Sequence, residues 1–433
     1  MKKKINISQI DKGMYVSELD RPWIESPFLF QGFIVGNEEL EQLQSLCQYV
    51  YIDTEEGLDV PVTDPLGSWH IDNSTGPARE HQEDQKIIEE LKEQSEKDSG
   101  HPIKYPDRTT VEEELGIAKE VEIKTRNIIY NIMDDVRLGK SINTKAAKQV
   151  VHDVTESIIR NPDALVCLSQ LKDKDEYTAL HSLRVCILTL AFGRHLGFDK
   201  DALNMVGLGA LLHDVGKMKI PGDVLNKPGG LSPEEFEVMK SHVPLGVKIL
   251  EGHKTGIPDI SIDVARYHHE RYDGSGYAKG KKGPETSKFG LIGSITDCYD
   301  AITSNRAYHD GMSSHDALKR MYEWRFKDFD PELIEQFIQC MGIYPIGSLV
   351  EMNTGAIGVV VTINRARRLR PKVVMVLTPE KKHYMPTKTI DLMNQPLEFD
   401  KSSLSIKQVL PSGTFRINPT EYLPTGHLGQ DLI

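Results

Sequence analysis

Potential metal ligands recur between residues 181 and 297, in a stretch whose apolar residues are mostly spaced as in helices. Imidazole and carboxylate groups this far apart in sequence act together only if the helices bring them to one place. The pattern predicts a mainly α domain that holds two divalent ions and uses them for hydrolysis. The candidate ligands are His181, His213, Asp214, His242, His268, His269 and Asp297.

The adjacent pair His213-Asp214 constrains the site most strongly. Neighbours on a regular helix diverge by about 100°, so both residues serve one centre most easily near a helix end, which Gly216 predicts. A carboxylate has two oxygens and can bridge two ions, which makes Asp214 the candidate bridging ligand, with Asp297 closing one side. A hydroxide shared by two ions is a nucleophile at neutral pH, and the ions neutralise charge on a phosphoryl group. The predicted substrate is a phosphate ester.

Composition limits the class of protein around this site. A chain of 433 residues, 39% hydrophobic and 27% charged, can bury a large core and is expected to form two or three domains. The net charge of −12 argues against general binding of nucleic acid polymers. An anionic substrate would therefore need local cations.

Neither a membrane span nor a disulfide framework is predicted. The longest apolar run, Val185 to Phe192, is far shorter than the ~20 residues of a membrane span, and Met1 to Lys4 leads into polar residues. The five cysteines are scattered without close pairs. A cytoplasmic protein is expected.

The chain is predicted to have four parts. Residues 1–58 show short strand-like runs and one helix-like stretch, Glu38 to Cys47, which predict a small α/β domain. Residues 59–108 are rich in Pro, Gly, Ser and charge, as in a linker. Residues 109–342 are expected to form the helical catalytic domain, and residues 343–433 a small β-rich domain.

Several helix boundaries can be predicted from capping signals. Thr110 and Glu113 fit a capping box, and so do Ser232 and Glu235, with Pro233 in the first turn. The latter helix is predicted to carry His242 about two turns along. Other helices are expected from about residue 144 to 161 and from about residue 177.

β-type runs follow at residues 348–352, 357–363 and 373–377. An arginine cluster between the last two suggests nucleotide binding but is better interpreted as a solvated hairpin. It comprises Arg365, Arg367, Arg368 and Arg370.

A glycine-rich loop follows the doublet His268-His269. Tyr277 in this loop could stack on a base or donate to a phosphate, while Lys217 and Arg306 could supply positive charge. Each also has an ordinary structural interpretation: a surface lysine, an arginine in a salt bridge, or a tyrosine covering a hairpin.

Ordered blocks over residues 145 to 340 resemble the HD-GYP subgroup of the HD-domain phosphohydrolases. Agreement over so many blocks is far more specific than one motif. The blocks are Asp175 to Ser182, His213 to Lys217, Ile220-Pro221, Lys227 to Gly229, Ser232 to His242, His268 to Glu270, Asp273 to Tyr277, and Asp297 to Ser304.

The resemblance implies a helical-bundle phosphodiesterase that hydrolyses cyclic di-GMP to pGpG, and in some members onward to GMP, with iron or manganese as the metal. It places Lys217 at the scissile phosphate or the leaving oxygen, and Tyr277, Asp300 and Arg306 around the nucleotide. Diguanylate cyclases are implied as partners, and a homodimer is compatible with the family. Residues 5–53 resemble an accessory domain often joined to such enzymes.

The resemblance also divides the ligands between the two ions, with Asp214 bridging them. One ion would take His181, His213, Asp214 and Asp297, and the other His242, His268 and His269.

Three positions depart from the family pattern. The name-giving Gly-Tyr-Pro is Gly276-Tyr277-Ala278, so the fixed φ of proline is lost and a more mobile loop is expected. Tyr177 stands where some relatives carry a third-metal glutamate, which favours two ions. His309 stands at a commonly basic position.

Two other functions stay open. One is hydrolysis of another nucleotide, in particular cyclic GMP-AMP. The other is a cyclic-dinucleotide receptor or scaffold without turnover, although the seven suitable donors favour hydrolysis.

Overall fold

In this computed structural model, the described residues are 105–170, 177–227, 229–252, 256–304, 311–365, 367–394, 404–411 and 413–424, with four strands before residue 54. The chain divides into two compact units, residues 1–88 with 221–239 and residues 89–220 with 240–433. The mainly α architecture with a small C-terminal antiparallel sheet confirms the predicted fold class.

The N-terminal strands form an antiparallel sheet in the order β1-β4-β2-β3. They are β1 (Lys2–Asn6), β2 (Tyr15–Leu19), β3 (Phe33–Ile34) and β4 (Tyr49–Asp53). Each overlaps a run predicted as a strand. The predicted helix at residues 38–47 and nearly all of the predicted linker lie outside the described residues.

The described helices begin at the predicted capping box, where Thr110 and Glu113 bond each other's backbone N–H groups. Ser232 and Glu235 form the second predicted box. The helices are α1 (Val111–Arg137), α2 (Thr144–Arg160), α3 (Pro162–Ser169), α4 (Tyr177–His195), α5 (Lys200–Leu212), α6 (Gly222–Leu225), α7 (Pro233–Lys240), α8 (His242–Leu250), α9 (Asp259–Tyr267), α10 (Lys288–Thr303), α11 (Ser314–Glu323) and α12 (Pro331–Met341).

Two helices form the centre of the bundle. Residues 181–194 of α4 and 290–302 of α10 are buried on all sides, the pattern of helices surrounded by other helices. α4 packs on α5, α5 on α9, and α9 on α10. Since α4 and α10 carry His181 and Asp297, two distant candidate ligands lie inside the core. Among the described residues, no helix is long and apolar enough to cross a membrane.

The chain around His242 differs from the prediction. α7 ends at Lys240, and His242 begins a separate helix instead of lying two turns along one helix. Pro244 follows in the first turn of α8, where the missing N–H needs no partner within the helix. This break brings the imidazole to the start of a new helix.

The C-terminal sheet has the strand order β8-β7-β6-β5-β9 and is antiparallel. The runs predicted at residues 348–352, 357–363 and 373–377 form three of these strands, whereas the strands at residues 383–391 and 406–410 were not predicted. The strands are β5 (Leu349–Met352), β6 (Ile357–Thr362), β7 (Lys372–Leu377), β8 (His383–Asp391) and β9 (Ile406–Leu410).

Arg365, between β6 and β7, is not part of a solvated hairpin as predicted. Its guanidinium pairs with Asp163 on α3 and with Asp107, 2.8 Å away. The Asp163 carboxylate also accepts the backbone N–H of Ile363 at 3.2 Å. The arginine therefore ties the β-rich part to the helices.

Candidate metal centre

Five segments bring all seven predicted ligands together. α4 supplies His181, the end of α5 supplies His213-Asp214, α8 begins with His242, His268-His269 directly follow α9, and α10 supplies Asp297. All seven residues are buried, none more than 7% exposed. So many polar groups with little access to water need partners or a metal.

His213-Asp214 lies at a helix end, as predicted, but Gly216 has a different role from the one expected. α5 stops at Leu212 and a 3₁₀ turn, Val215–Lys219, follows. A Cβ atom on Gly216 would lie 1.9 Å from the carbonyl oxygen of His242. Glycine is required because this turn and α8 touch backbone to backbone, which brings Asp214 and His242 together.

Donor atoms lie within 4.8 Å of one another in three groups of candidate ligands. One of them, His213, Asp214 and His268, shares a residue with each of the other two. Those two share no residue with each other: the His181 group (His181, His213 and Asp297) and the His242 group (His242, His268 and His269). In the His181 group, His181 Nε2 lies 3.0 Å from Asp297 Oδ1. In the His242 group, His242 Nε2 lies 3.4 Å from His268 Nε2.

Asp214 lies between these two groups and turns one oxygen toward each. Its Oδ2 is 3.2 Å from His213 Nε2 and 3.7 Å from His181 Nε2. Its Oδ1 is 3.5 Å from His242 Nε2 and 3.8 Å from His268 Nε2. This is the arrangement that a carboxylate bridging two cations needs.

The donor set fits divalent metal ions. His213 Nε2, Asp214 Oδ1 and His269 Nε2 are buried in the described structure without a hydrogen-bond partner. Buried polar atoms nearly always have a partner, so three such atoms in one cluster indicate that the cluster binds a cation. Imidazole and carboxylate donors without thiolate suit divalent ions of the first transition row.

Electrostatics keeps most of these groups in ligand-competent protonation states. Burial alone would raise the pKa of Asp214, but His213, Lys217 and His242 hold it well below its ordinary range. Burial and His213 lower the pKa of His268 to about 3, while burial and His268 hold that of His269 well below its ordinary value. Metal ligands need these states, ionised carboxyl and neutral imidazole.

His181 and Asp297 shift each other in opposite directions. Burial alone would lower the pKa of His181, but Asp297 and Asp300 raise it. Burial opposes ionisation of Asp297, yet His181 lowers its pKa to about 2. The imidazole of His181 and the carboxylate of Asp297 therefore attract each other electrostatically inside the core.

Two of the predicted substrate or catalytic residues border the cluster. Lys217 Nζ lies 2.7 Å from Asp214 Oδ2 on a side chain that is 14% exposed. The Tyr277 ring stacks on His269, with centroids 4.4 Å apart and planes 29° apart. Both lie where they could contact a molecule bound at the cluster.

The loop that carries Tyr277 is closed by Glu270, which sequence reasoning did not single out. Its carboxylate accepts the backbone N–H groups of Lys279 at 2.7 Å and Lys281 at 3.1 Å. Ala278 has φ of +103°, a conformation closed to proline. Alanine in place of proline at this position therefore agrees with the observed backbone geometry.

Asp300 lies behind His181, where its Oδ2 is 2.8 Å from His181 Nδ1 and its Oδ1 accepts from Arg184 Nε at 2.7 Å. Arg184 was not predicted, although its position one turn after His181 on α4 was a signal. Arg306 and His309 lie outside the described residues, as does the side chain of Tyr177.

Three known families match the chain in succession. A domain of unknown function (DUF3391) matches residues 2–147, the HD domain matches residues 166–333, and a KOW domain associated with the HD domain matches residues 349–410. The HD match contains all seven candidate ligands.

The chain is also similar to proteins of known name. Cyclic di-GMP phosphodiesterase PA4108 of Pseudomonas aeruginosa is 33% identical over 395 residues, which cover 90% of this chain and 89% of the relative. The 3'3'-cGAMP-specific phosphodiesterase 2 of Vibrio cholerae is 27% identical over 48% of this chain and 36% of its own. Among solved structures, Bd1817, an HDG"Y"P protein of Bdellovibrio bacteriovorus, matches 78% of this chain and 98% of its own with 18% identity and a TM-score of 0.44. From its near full-length relative and its HD-domain match, the chain belongs to the HD-GYP family of cyclic di-GMP phosphodiesterases.

Proposed function

We propose that the protein hydrolyses cyclic di-GMP to pGpG, and onward to GMP if the second ester also enters the site. The family is metal-dependent, and the two ligand groups with Asp214 between them would hold two ions, iron or manganese. Bound ions would supply a nucleophile at neutral pH and neutralise charge on the phosphoryl group. The observation that carries the proposal is the placement of the two Asp214 oxygens toward different groups.

The chain's own residues have distinct roles in this proposal. Asp214 would help to hold the ions of both groups, and Lys217 beside it would contribute positive charge toward the scissile phosphate or the leaving oxygen. Tyr277 holds its ring against His269 and offers an aromatic face to a guanine. Arg306 stays a predicted nucleotide contact. Diguanylate cyclases and a second copy of the chain stay predicted partners.

A cytoplasmic location is part of the proposal. Cys167, Cys186 and Cys340 form no disulfide in the described structure. Unpaired cysteines are typical of proteins in a reducing compartment.

Purified protein loaded with Mn(II) or Fe(II) should convert cyclic di-GMP to pGpG. Chromatography of the products measures this conversion. Asp214→Ala should reduce turnover at least 1,000-fold, on the order expected when a metal-dependent nucleophile is lost, while the helical circular dichroism is retained. Asp153→Ala is the matched control, because Asp153 pairs with Lys124 outside the cluster.

Cyclic GMP-AMP is the second candidate substrate, favoured by the match to a cGAMP-specific relative. A parallel assay at equal concentrations measures the ratio of kcat/KM. Tight binding of either nucleotide without turnover, under both metals, would instead support a receptor and overturn the proposed hydrolysis.

A further inference from the structure

The imidazole of His181 is held at both nitrogens. Nε2 points into the ligand cluster, 3.0 Å from Asp297 Oδ1. Nδ1 points away from the cluster, 2.8 Å from Asp300 Oδ2. A proton on Nδ1 donated to this carboxylate leaves the lone pair on Nε2, which is the tautomer that a metal ligand needs.

Asp300 is itself held by Arg184. The Nε atom of Arg184 donates to Asp300 Oδ1 at 2.7 Å, and a terminal nitrogen lies 3.4 Å from Ser304 Oγ. Asp300 is 2% exposed and Arg184 9% exposed. Since a guanidinium stays charged at any pH that proteins tolerate, it stabilises the ionised form of the buried carboxylate.

The partner of the Nδ1 atom differs between His181 and two other candidate ligands. His213 Nδ1 lies 2.7 Å from the carbonyl oxygen of Ala210, and His268 Nδ1 lies 2.9 Å from that of Ala265. Both acceptors lie three residues earlier in the same chain segment and are neutral. The orientation of His181 instead depends on side chains from α4 and α10, with a full negative charge at Nδ1.

We propose that Arg184 is a positioning residue of the metal centre, which acts through Asp300 to fix the ring and tautomer of His181. Asp300 thereby serves the metal site and not the nucleotide. The proposal rests on the two-ion centre of the proposed function. It predicts that the ion held by the His181 group depends on Arg184, whereas the ion held by the His242 group does not.

Metal titration tests this without any nucleotide. Full-length protein freed of metal with a chelator is titrated with Mn(II), and free Mn(II) is followed by electron paramagnetic resonance. The wild type should bind two ions. Arg184→Gln and Asp300→Asn should each weaken one of the two binding steps by about 10- to 100-fold, the range for loss of a group that orients a metal ligand. Arg184→Lys should recover part of the loss, because it restores the charge without the planar fork.

Reference variants identify the affected ion. His181→Ala should remove the same binding step that Arg184→Gln weakens, whereas His269→Ala should remove the other. The spectrum of an exchange-coupled Mn(II) pair should be lost in Arg184→Gln at Mn(II) concentrations that saturate the wild type.

Arg160→Gln is the matched control for stability. Arg160 makes two bonds of 2.7 and 2.8 Å to Glu114, which is fully buried and is not a candidate ligand. This variant also strands a buried carboxylate, so it should unfold more easily but keep both Mn(II) affinities.

Two results would overturn the proposal. One is an Arg184→Gln variant that binds both Mn(II) ions with the affinities of the wild type. The other is an Arg160→Gln variant that loses as much Mn(II) affinity as Arg184→Gln does. A wild type that binds two ions but does not hydrolyse cyclic di-GMP would refute the proposed substrate and leave the role of Arg184 standing.

Discussion

At the scale of single residues, Ala278 has a backbone conformation that an alanine disfavours. Its φ of +103° lies in the region where a Cβ atom meets the neighbouring carbonyl. Ala278→Gly should therefore stabilise the protein by about 1 kcal/mol, the strain relieved minus the flexibility gained by the unfolded chain. Thermal unfolding measures this change.

Two further variants separate strain from flexibility. Lys279→Gly, at an exposed neighbour outside the positive-φ positions, should destabilise the protein slightly. Ala278→Pro should lower both the melting temperature and hydrolysis, because proline fixes φ near −65°. An Ala278→Pro variant as stable and active as the wild type would contradict the observed loop geometry.

Residue type predicted which side chains cluster better than it predicted their neighbours. His213 and Asp214 could be proposed as ligands from the sequence because few other roles need so many imidazole and carboxylate groups together. Asp300 was expected at the nucleotide, yet it lies behind His181. A carboxylate near a metal can bind the ion, contact substrate or orient a histidine, and only the packing of α4 against α10 decides which.

At the scale of elements, the contact between the 3₁₀ turn and α8 depends on Gly216. A Cβ atom there would lie 1.9 Å from the carbonyl oxygen of His242 and 2.5 Å from the backbone nitrogen of Gly246. Gly216→Ala should force these segments apart, at a cost of about 3 kcal/mol or more. Because the segments carry Asp214 and His242, Mn(II) binding should weaken as well.

Gly116→Ala provides the matched control in α1. Nothing lies within 4 Å of a Cβ atom at this helical position, so alanine should stabilise the helix by up to about 1 kcal/mol. Urea unfolding and Mn(II) titration compare the two variants. Unchanged stability and metal affinity in Gly216→Ala would show that the turn can move without harm.

Helix and strand signals succeeded where periodicity and capping agreed, as at Thr110 and Glu113. They failed at β8, which has no buried residue and therefore no apolar alternation, and which contains Pro386. β8 lies at an edge of its sheet, where proline and charge are tolerated because one side needs no ladder partner. Edge position is a tertiary property that the local sequence does not contain.

At the scale of the whole molecule, Arg365 links the C-terminal strands to the helices. Asp163 is 1% exposed and pairs with Arg365, which also lies 2.8 Å from Asp107. Sequence reasoning placed this arginine in solvent, because an arginine cluster between two strands gives no sign of a carboxylate some 200 residues away.

Arg365→Ala should lower the free energy of unfolding by about 3 to 5 kcal/mol at neutral pH, because it leaves the Asp163 carboxylate buried without its countercharge. Asp163→Asn in the same background should recover part of the loss, since a neutral amide costs less to bury than an ion. Urea unfolding of the two single variants and the double variant gives the interaction energy of the pair.

The loss of unfolding free energy in Arg365→Ala should also depend on pH in a defined direction. Burial already raises the pKa of Asp163 although Arg365 opposes the shift, so removal of Arg365 should raise that pKa further. A carboxyl group whose pKa is higher in the folded than in the unfolded state holds more protons when folded, and its contribution to stability falls as pH rises between the two values. The deficit of Arg365→Ala relative to the wild type should therefore shrink as the pH is lowered from 7 toward about 4, near the unfolded value of an aspartate. A deficit that stays constant over this range would mean that Arg365 stabilises the junction by packing alone and not through its charge.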